Sequence, residues 1–279
     1  MIIKKKQENN GSFNSSSGVL DVNILDKIIA SKAIEVAASK LSTPISILEK
    51  SPAFSRKCLS LKQSLLNSES GIISEFKRKS PSLGWIHRDA DVLEVTAGYS
   101  NAGASGISIL TDLDYFGGTA MDLMAARQFI SCPVLRKDFV IDEYQLFEAK
   151  AMGADVILLI AAALTVKQTY DLAHKAHELG LEVLLEVHNA DEIGHANDYV
   201  DMLGVNNRNL KTFEQNIKTS FDLAELIPDK FVKVSESGIS KTETVKQLRK
   251  VGYKGFLMGE NFMKEENPAE ALISFIEQL

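Results

Sequence analysis

From residue 72 onward, short apolar runs alternate with longer stretches of helical periodicity at intervals of roughly 25 residues, the spacing of βα units in a parallel sheet. The runs occupy 72–76, 106–110, 133–135, 155–160, 182–187, 202–205, 231–234 and 255–258. Between and after them, segments 91–102, 121–130, 142–152, 165–179, 189–196, 220–227, 241–251 and 268–276 carry apolar residues at i, i+3 or i+4, as helices do. Gly153, Gly180 and Gly252 stand where helix ends favour a left-handed residue. Eight strands and eight helices predict an α/β fold of the (β/α)8 TIM-barrel type. A doubly wound open sheet is the runner-up, but it would want a glycine-rich dinucleotide turn after an early strand, and the sequence has none. The 279 residues suit the barrel, which commonly uses about 250.

The residues ahead of the first strand contain too little apolar material to form a unit of their own. A helix is expected to open at Asp21, with Ile24, Leu25, Ile28 and Ile29 on one face, and a polar helix at 60–66. Residues 21–71 therefore read as a helical extension packed on a barrel of residues 72–279. Residues 1–20 hold Lys4, Lys5 and Lys6 followed by a polar, Ser/Asn-rich tract. They lack the apolar core of a signal peptide and read as a disordered leader or cloning remnant. The chain stops soon after the eighth helix, so no second enzyme is expected to be fused to it.

Net charge is −6, with no long basic run, which argues against nucleic acid as a partner. No apolar run approaches the roughly 20 residues that span a bilayer, so no membrane partner is expected. Cys58 and Cys132 are too few for a disulfide framework and lack metal-ligand spacing, which fits a reducing cytoplasm. A monomer acting on a small molecule is the expectation.

The sites of such barrels lie at the C-terminal ends of the strands. The first strand alternates so that Ile73, Glu75, Lys77 and Lys79 share a face, with Lys79 beyond the strand end beside Ser80 and Pro81. The third strand ends at Arg136 and Lys137, the fifth at Glu186, the sixth at Asn206 and Arg208, and the seventh at Ser237 and Gly238. The eighth ends at Gly259 and Glu260. The opposite ends carry Gly71, Gly106, Pro133 and Gly255, which is turn chemistry. This asymmetry groups Glu75, Lys77, Lys137 and Glu186 into one constellation. A set of structural ion pairs at a barrel mouth is the other reading of the same residues. Glycines after strands 7 and 8 fit backbone binding of a phosphate ester.

Weaker candidates take plainer readings. His174 and His177 read as a solvated helix face, His188 as a loop histidine, Asp138 and Asp142 as helix-start residues, and Trp85 as a packing residue.

The segments ISEFKRKSPS (73–82), LRKDFVIDEYQ (135–145), LLEV (184–187), GVNNRNL (204–210), VSESGI (234–239) and FLMGENFM (256–263), with ISILTDLDYFGG (107–118), resemble the indole-3-glycerol phosphate synthase family. The resemblance implies a lyase of tryptophan biosynthesis that closes, decarboxylates and dehydrates carboxyphenylamino-deoxyribulose 5-phosphate without a metal or organic cofactor. By motif position it implies Lys137 as general acid for ring closure, Glu186 as general base, Lys77 as second acid and substrate contact, and Glu75 as supporting carboxylate. Asn206 and Ser237 are implied to orient substrate. Lys77, Ser237, Gly238, Gly259 and Glu260 would hold the phosphate, Glu260 through its backbone amide with the carboxylate turned away. Phe116, Phe139, Ile160 and Leu184 would form the apolar wall, with Ser80, Pro81 and Arg208 as further substrate contacts. Rivals are a phosphoribosylanthranilate isomerase, a Schiff-base aldolase using Lys137, and a non-catalytic phosphosugar-binding barrel.

Overall fold

The computed structural model describes residues 23–279, so the leader assigned to residues 1–20 and the helix start expected at Asp21 lie outside the described residues. Eight parallel strands close on themselves: β1 (Ile72–Phe76), β2 (Gly106–Leu110), β3 (Val134–Lys137), β4 (Val156–Ile160), β5 (Glu182–Val187), β6 (Met202–Asn206), β7 (Val232–Glu236) and β8 (Tyr253–Met258). Each strand neighbours the next in sequence, and β8 returns to β1, which is the TIM-barrel arrangement.

The period-2 alternation of each strand builds two cores. Ile73, Leu135, Leu158, Leu184, Met202, Val234 and Leu257 point into the barrel, while Ile72, Phe76, Ile107, Ile109, Val183 and Phe256 point out to the helices. Register then aligns the strand ends: Glu75 pairs with Ser108, Leu110 with Lys137, Ile160 with Glu186, and Asn206 with Glu236. One layer above the apolar interior, inward positions therefore turn polar on several strands at once.

The strands β3, β6 and β7 run one or two residues further than hydropathy suggested, because Lys137, Asn206 and Glu236 find partners inside the mouth and need no turn to reach water. The segment expected as a helix at 189–196 is a 3-10 turn, Asp191–His195. Gly153, Gly180 and Gly252 all take positive φ at their helix ends.

Ahead of the barrel, helix α1 (Ile24–Ser42) starts at Asn23, whose side chain accepts a hydrogen bond from the Asp26 amide. Its Lys40 meets Asp142, and the Tyr144 hydroxyl donates to the carbonyls of Ser39 and Thr43. A short helix, Leu61–Asn67, is less polar in effect than its composition suggested. Its Leu61 and Leu65 are fully buried and plug the N-terminal end of the barrel. Gly106 and Gly255 lie in the strands expected to contain them, toward their N-terminal ends, and their missing side chains leave room for these leucines. Among the described residues, no helix is long and apolar enough to cross a membrane.

Candidate active site

A cavity of about 360 Å³ opens at the C-terminal end of the barrel. Its floor is charged. Lys137, the last residue of β3, projects inward with its Nζ 3.4 Å from Glu236 Oε2, 3.5 Å from Glu75 Oε2 and 3.8 Å from Glu186 Oε2. Glu75 holds a second ammonium through its other oxygen, with Lys77 Nζ at 2.8 Å. Two lysines thus share one carboxylate across the cavity floor. Glu186 Oε1 accepts from the Asn206 amide at 3.1 Å, and Asn206 Oδ1 accepts from the Arg208 backbone N–H.

Three carboxylates around one ammonium cannot all ionise without penalty, and their environments separate them. Burial opposes the Lys137 ammonium, but Glu75, Glu236 and Glu186 outweigh it and keep the amine protonated well above its usual range. Burial likewise opposes charge on Glu75, and its two lysines overcome this to hold the carboxyl low. Glu186 is buried too, yet His188, Lys137 and Asn206 bring it down to about 2. Glu236 differs. Burial and the nearby charges of Glu186 and Glu75 prevail over Lys137 and push it up to about 8. Neither of its carboxyl oxygens has a hydrogen-bond partner. The site thus holds Glu75 and Glu186 biased toward the ionised form and Glu236 biased toward the protonated form, around a fixed ammonium.

The phosphate-loop candidates lie on one side of the cavity with Ser237, Gly238, Gly259 and Glu260. Ser237 and Gly238 both adopt left-handed backbone, φ 63° and 72°, which costs a serine on the order of 1 kcal/mol. The Asn207 amide braces that turn by donating to Ser235 Oγ and to the carbonyls of Glu236 and Ser237. Arg208 spans the mouth, donating to Ser82 Oγ at 3.1 Å and to Glu260 Oε2 at 3.2 Å. The Glu260 carboxylate is therefore anchored to Arg208.

Ser80 and Pro81 also line the cavity. Phe116 and Phe139 form an apolar wall with ring centroids 6.0 Å apart, joined by Ile160. Leu184 does not reach the cavity. It sits two residues before Glu186 on the same inward row, one layer deeper in the barrel core, and Leu110 and Leu158 line the wall instead. From α1, Ile24, Leu25 and Ile28 close over the opening. Lys79 turns outward to the Asp114 carbonyl and the Trp85 ring, and Trp85, half exposed, also carries Arg88 on its ring.

Sequence reasoning missed four contributors. Glu236 follows Val234 by two residues, so the alternation that singled out Glu75 would have found it. His188 obeys the same rule after Glu186, and its imidazole lies against the Glu186 carboxylate instead of in a free loop. Asp138 is no helix-start residue. It is fully buried and meets Arg136 and Lys32 at 3.0 Å each, while Thr111 donates to it. Lys32 of α1 is itself buried and also pairs with Asp112 at 3.0 Å. This interior lysine in an N-terminal helix had no local signal. His174 and His177 lie on an outer helix, where His177 pairs with Asp201.

Comparison with known proteins agrees with this geometry. A family model described as indole-3-glycerol phosphate synthase matches residues 25–275. The indole-3-glycerol phosphate synthase of Bacteroides thetaiotaomicron is 50% identical over 257 residues, covering 92% of this chain and 99% of that protein. That of Laribacter hongkongensis is 42% identical over 256 residues, covering 90% and 97%. Among solved structures, 3-hexulose-6-phosphate synthase from Salmonella typhimurium superposes with a TM-score of 0.59 at 15% identity, over 75% of this chain and 99% of that one, a likeness of fold alone. The chain belongs to the indole-3-glycerol phosphate synthase family, carbon–carbon lyases of tryptophan biosynthesis.

Proposed function

We propose that this site converts carboxyphenylamino-deoxyribulose 5-phosphate to indole-3-glycerol phosphate, with Lys137 as the acid of ring closure. The observation that carries this reading is the Lys137 ammonium held by Glu75, Glu186 and Glu236 on the cavity floor. Attack of the anthranilate ring on the ketone turns the ketone oxygen into an alkoxide far more basic than an amine. An ammonium fixed beside that oxygen stabilises the developing charge and delivers its proton. Loss of carbon dioxide then leaves its electron pair in the six-membered ring and restores aromaticity.

The new hydroxyl leaves as water with a proton from Lys77, which faces Lys137 across their common carboxylate. The five-membered ring gives up a proton to Glu186, whose ionised state suits a base. Two protons donated and one accepted match the one proton a carboxylate substrate must gain to leave as carbon dioxide and water. Glu236 supports the Lys137 ammonium from below. Ser237 and Gly238, with Gly259 and the Glu260 amide, would hold the phosphate, while Phe116, Phe139 and Ile160 pack the aromatic ring. Asn206 orients Glu186, and Ser80, Pro81 and Arg208 border the sugar.

Residues 21–71 act in this reading as an extension of the catalytic barrel 72–279, since Ile24, Leu25 and Ile28 border the same cavity. Acidic net charge supports a protein that does not bind nucleic acid, and two free cysteines fit the cytoplasm; a monomer without a membrane partner completes this proposal. The test is the appearance of indole fluorescence when purified protein meets the substrate, with release of carbon dioxide. Well-folded protein without turnover would sink the reading, and a product of unchanged mass would indicate an isomerase instead.

A further inference from the structure

Behind Glu186, outside the cavity lining, His188 bridges two carboxylates. Its Nε2 lies 3.3 Å from Glu186 Oε1 and its Nδ1 3.2 Å from Glu192 Oε2. The His188 backbone N–H donates to the same Glu192 oxygen at 2.7 Å, and Asn189 donates to the other one. The ring is 13% exposed and therefore desolvated on most sides. Glu186 divides its two oxygens: Oε1 faces His188 and Asn206, while Oε2 faces Lys137. Asn206 hydrogen-bonds Oε1 and His188 adds a charge contact to the same oxygen without hydrogen-bond geometry, so Oε2 is the oxygen left to present.

We propose that His188 is the positioning residue of the base: held between Glu186 and Glu192, it supplies the positive charge that keeps Glu186 ionised and fixes Oε1, so that Oε2 is the oxygen offered to substrate. The inference rests on the reading of Glu186 as general base. The groups facing Glu186 are Lys137 from β3, Asn206 from β6, Glu236 from β7 and His188 beyond its own strand, while Glu192 faces the imidazole from the 3-10 turn. Burial disfavours an imidazolium, but the two carboxylates outweigh it and raise His188 to about 10, so it stays charged through neutral pH. Without that charge, Lys137 and the Asn206 amide must offset the burial of Glu186, and the base gains protons at higher pH.

The test is the pH dependence of kcat/KM in His188→Gln, His188→Arg and Glu186→Gln, with thermal melts confirming that each variant folds. His188→Gln is expected to move the acid limb to higher pH by about one unit, a roughly tenfold loss on that limb, with recovery toward the wild-type plateau above it. His188→Arg, which restores the charge, is expected to return the limb toward its original position. A uniform loss at all pH values, with no shift, would mark His188 as structural and overturn the inference. Should His188→Gln fail to fold, 15N NMR of the wild-type imidazole decides: a doubly protonated ring at pH 8 supports the inference, and a neutral ring at pH 7 overturns it. Retained turnover in Glu186→Gln would refute the base reading itself. Lost turnover there with an unmoved limb in His188→Gln would refute only the role of His188.

Discussion

Gly204 and Glu236 occupy the same space by division: a Cβ on Gly204 would lie 2.2 Å from Glu236 Oε1. The glycine of β6 is thus a precondition for the buried carboxyl of β7, two strand neighbours whose inward rows meet beneath Lys137. Gly259 stands in a similar relation to Glu75, whose Cβ and Oε1 would both be 2.9 Å from an added methyl.

Gly204→Ala is therefore expected to displace the Glu236 carboxyl and with it one support of the Lys137 ammonium. Overpacking of this kind costs about 1–3 kcal/mol. Urea denaturation should show that loss together with a kcat reduced by about tenfold or more, because the acid loses its alignment. A variant with unchanged kcat would show that Glu236 does not position Lys137.

Replacing Lys137 by Met keeps the volume of the stem and removes the donor. Turnover should fall by on the order of 10² to 10⁴, the range for loss of a positioned acid, while a product analogue still binds when titrated by fluorescence. Loss of binding with little loss of kcat would instead fit a phosphosugar-binding role for the lysine. Failure of borohydride to trap substrate on the wild-type protein should accompany the result, since a Schiff base is not part of the proposed route.

The raised Glu236 carboxyl predicts a pH dependence of stability. Its folded-state value of about 8 lies above the ordinary 4.5, so between those pH values the folded protein holds a proton that the unfolded chain has lost. Its contribution is fully present below 4.5 and is lost as pH rises toward 8, at up to about 1.4 kcal/mol per unit. Glu236→Gln, neutral at every pH, should melt at a higher temperature than wild type at pH 8 and nearly the same at pH 4.5, while losing activity. Equal melting shifts at both pH values would contradict a raised carboxyl.

Lys32 tests the attachment of the N-terminal helix. Its ammonium sits between Asp112 and Asp138, both almost fully buried; burial opposes its charge, but Asp138, Glu35 and Asp112 outweigh burial and keep it protonated well above the usual range. Lys32→Met leaves two carboxylates short of their partner, and breaking one side of a buried pair costs about 3–5 kcal/mol. Chemical denaturation should show that loss. Hydrogen exchange should show faster opening of α1, whose Ile24, Leu25 and Ile28 cover the cavity.

The amino-acid sequence by itself determined the strand count, the closed parallel fold and most of the polar ring, because period-2 alternation and strand-end position are local properties. Glu75, Lys77, Lys137, Glu186 and Asn206 were legible for that reason, and Glu236 and His188 obeyed the same rule unread. Only the tertiary structure decided which charges share a partner: Glu75 of β1, Glu186 of β5 and Glu236 of β7 are each 49 residues or more from Lys137 in sequence, and barrel closure alone brings them within 4 Å of it. The same closure decided that Leu184 lies beneath the site and not in its wall, since depth along an inward row depends on strand tilt and register. It decided the protonation of Glu236 as well, because a carboxyl's charge follows the field of its neighbours in space, and those neighbours come from strands remote in sequence.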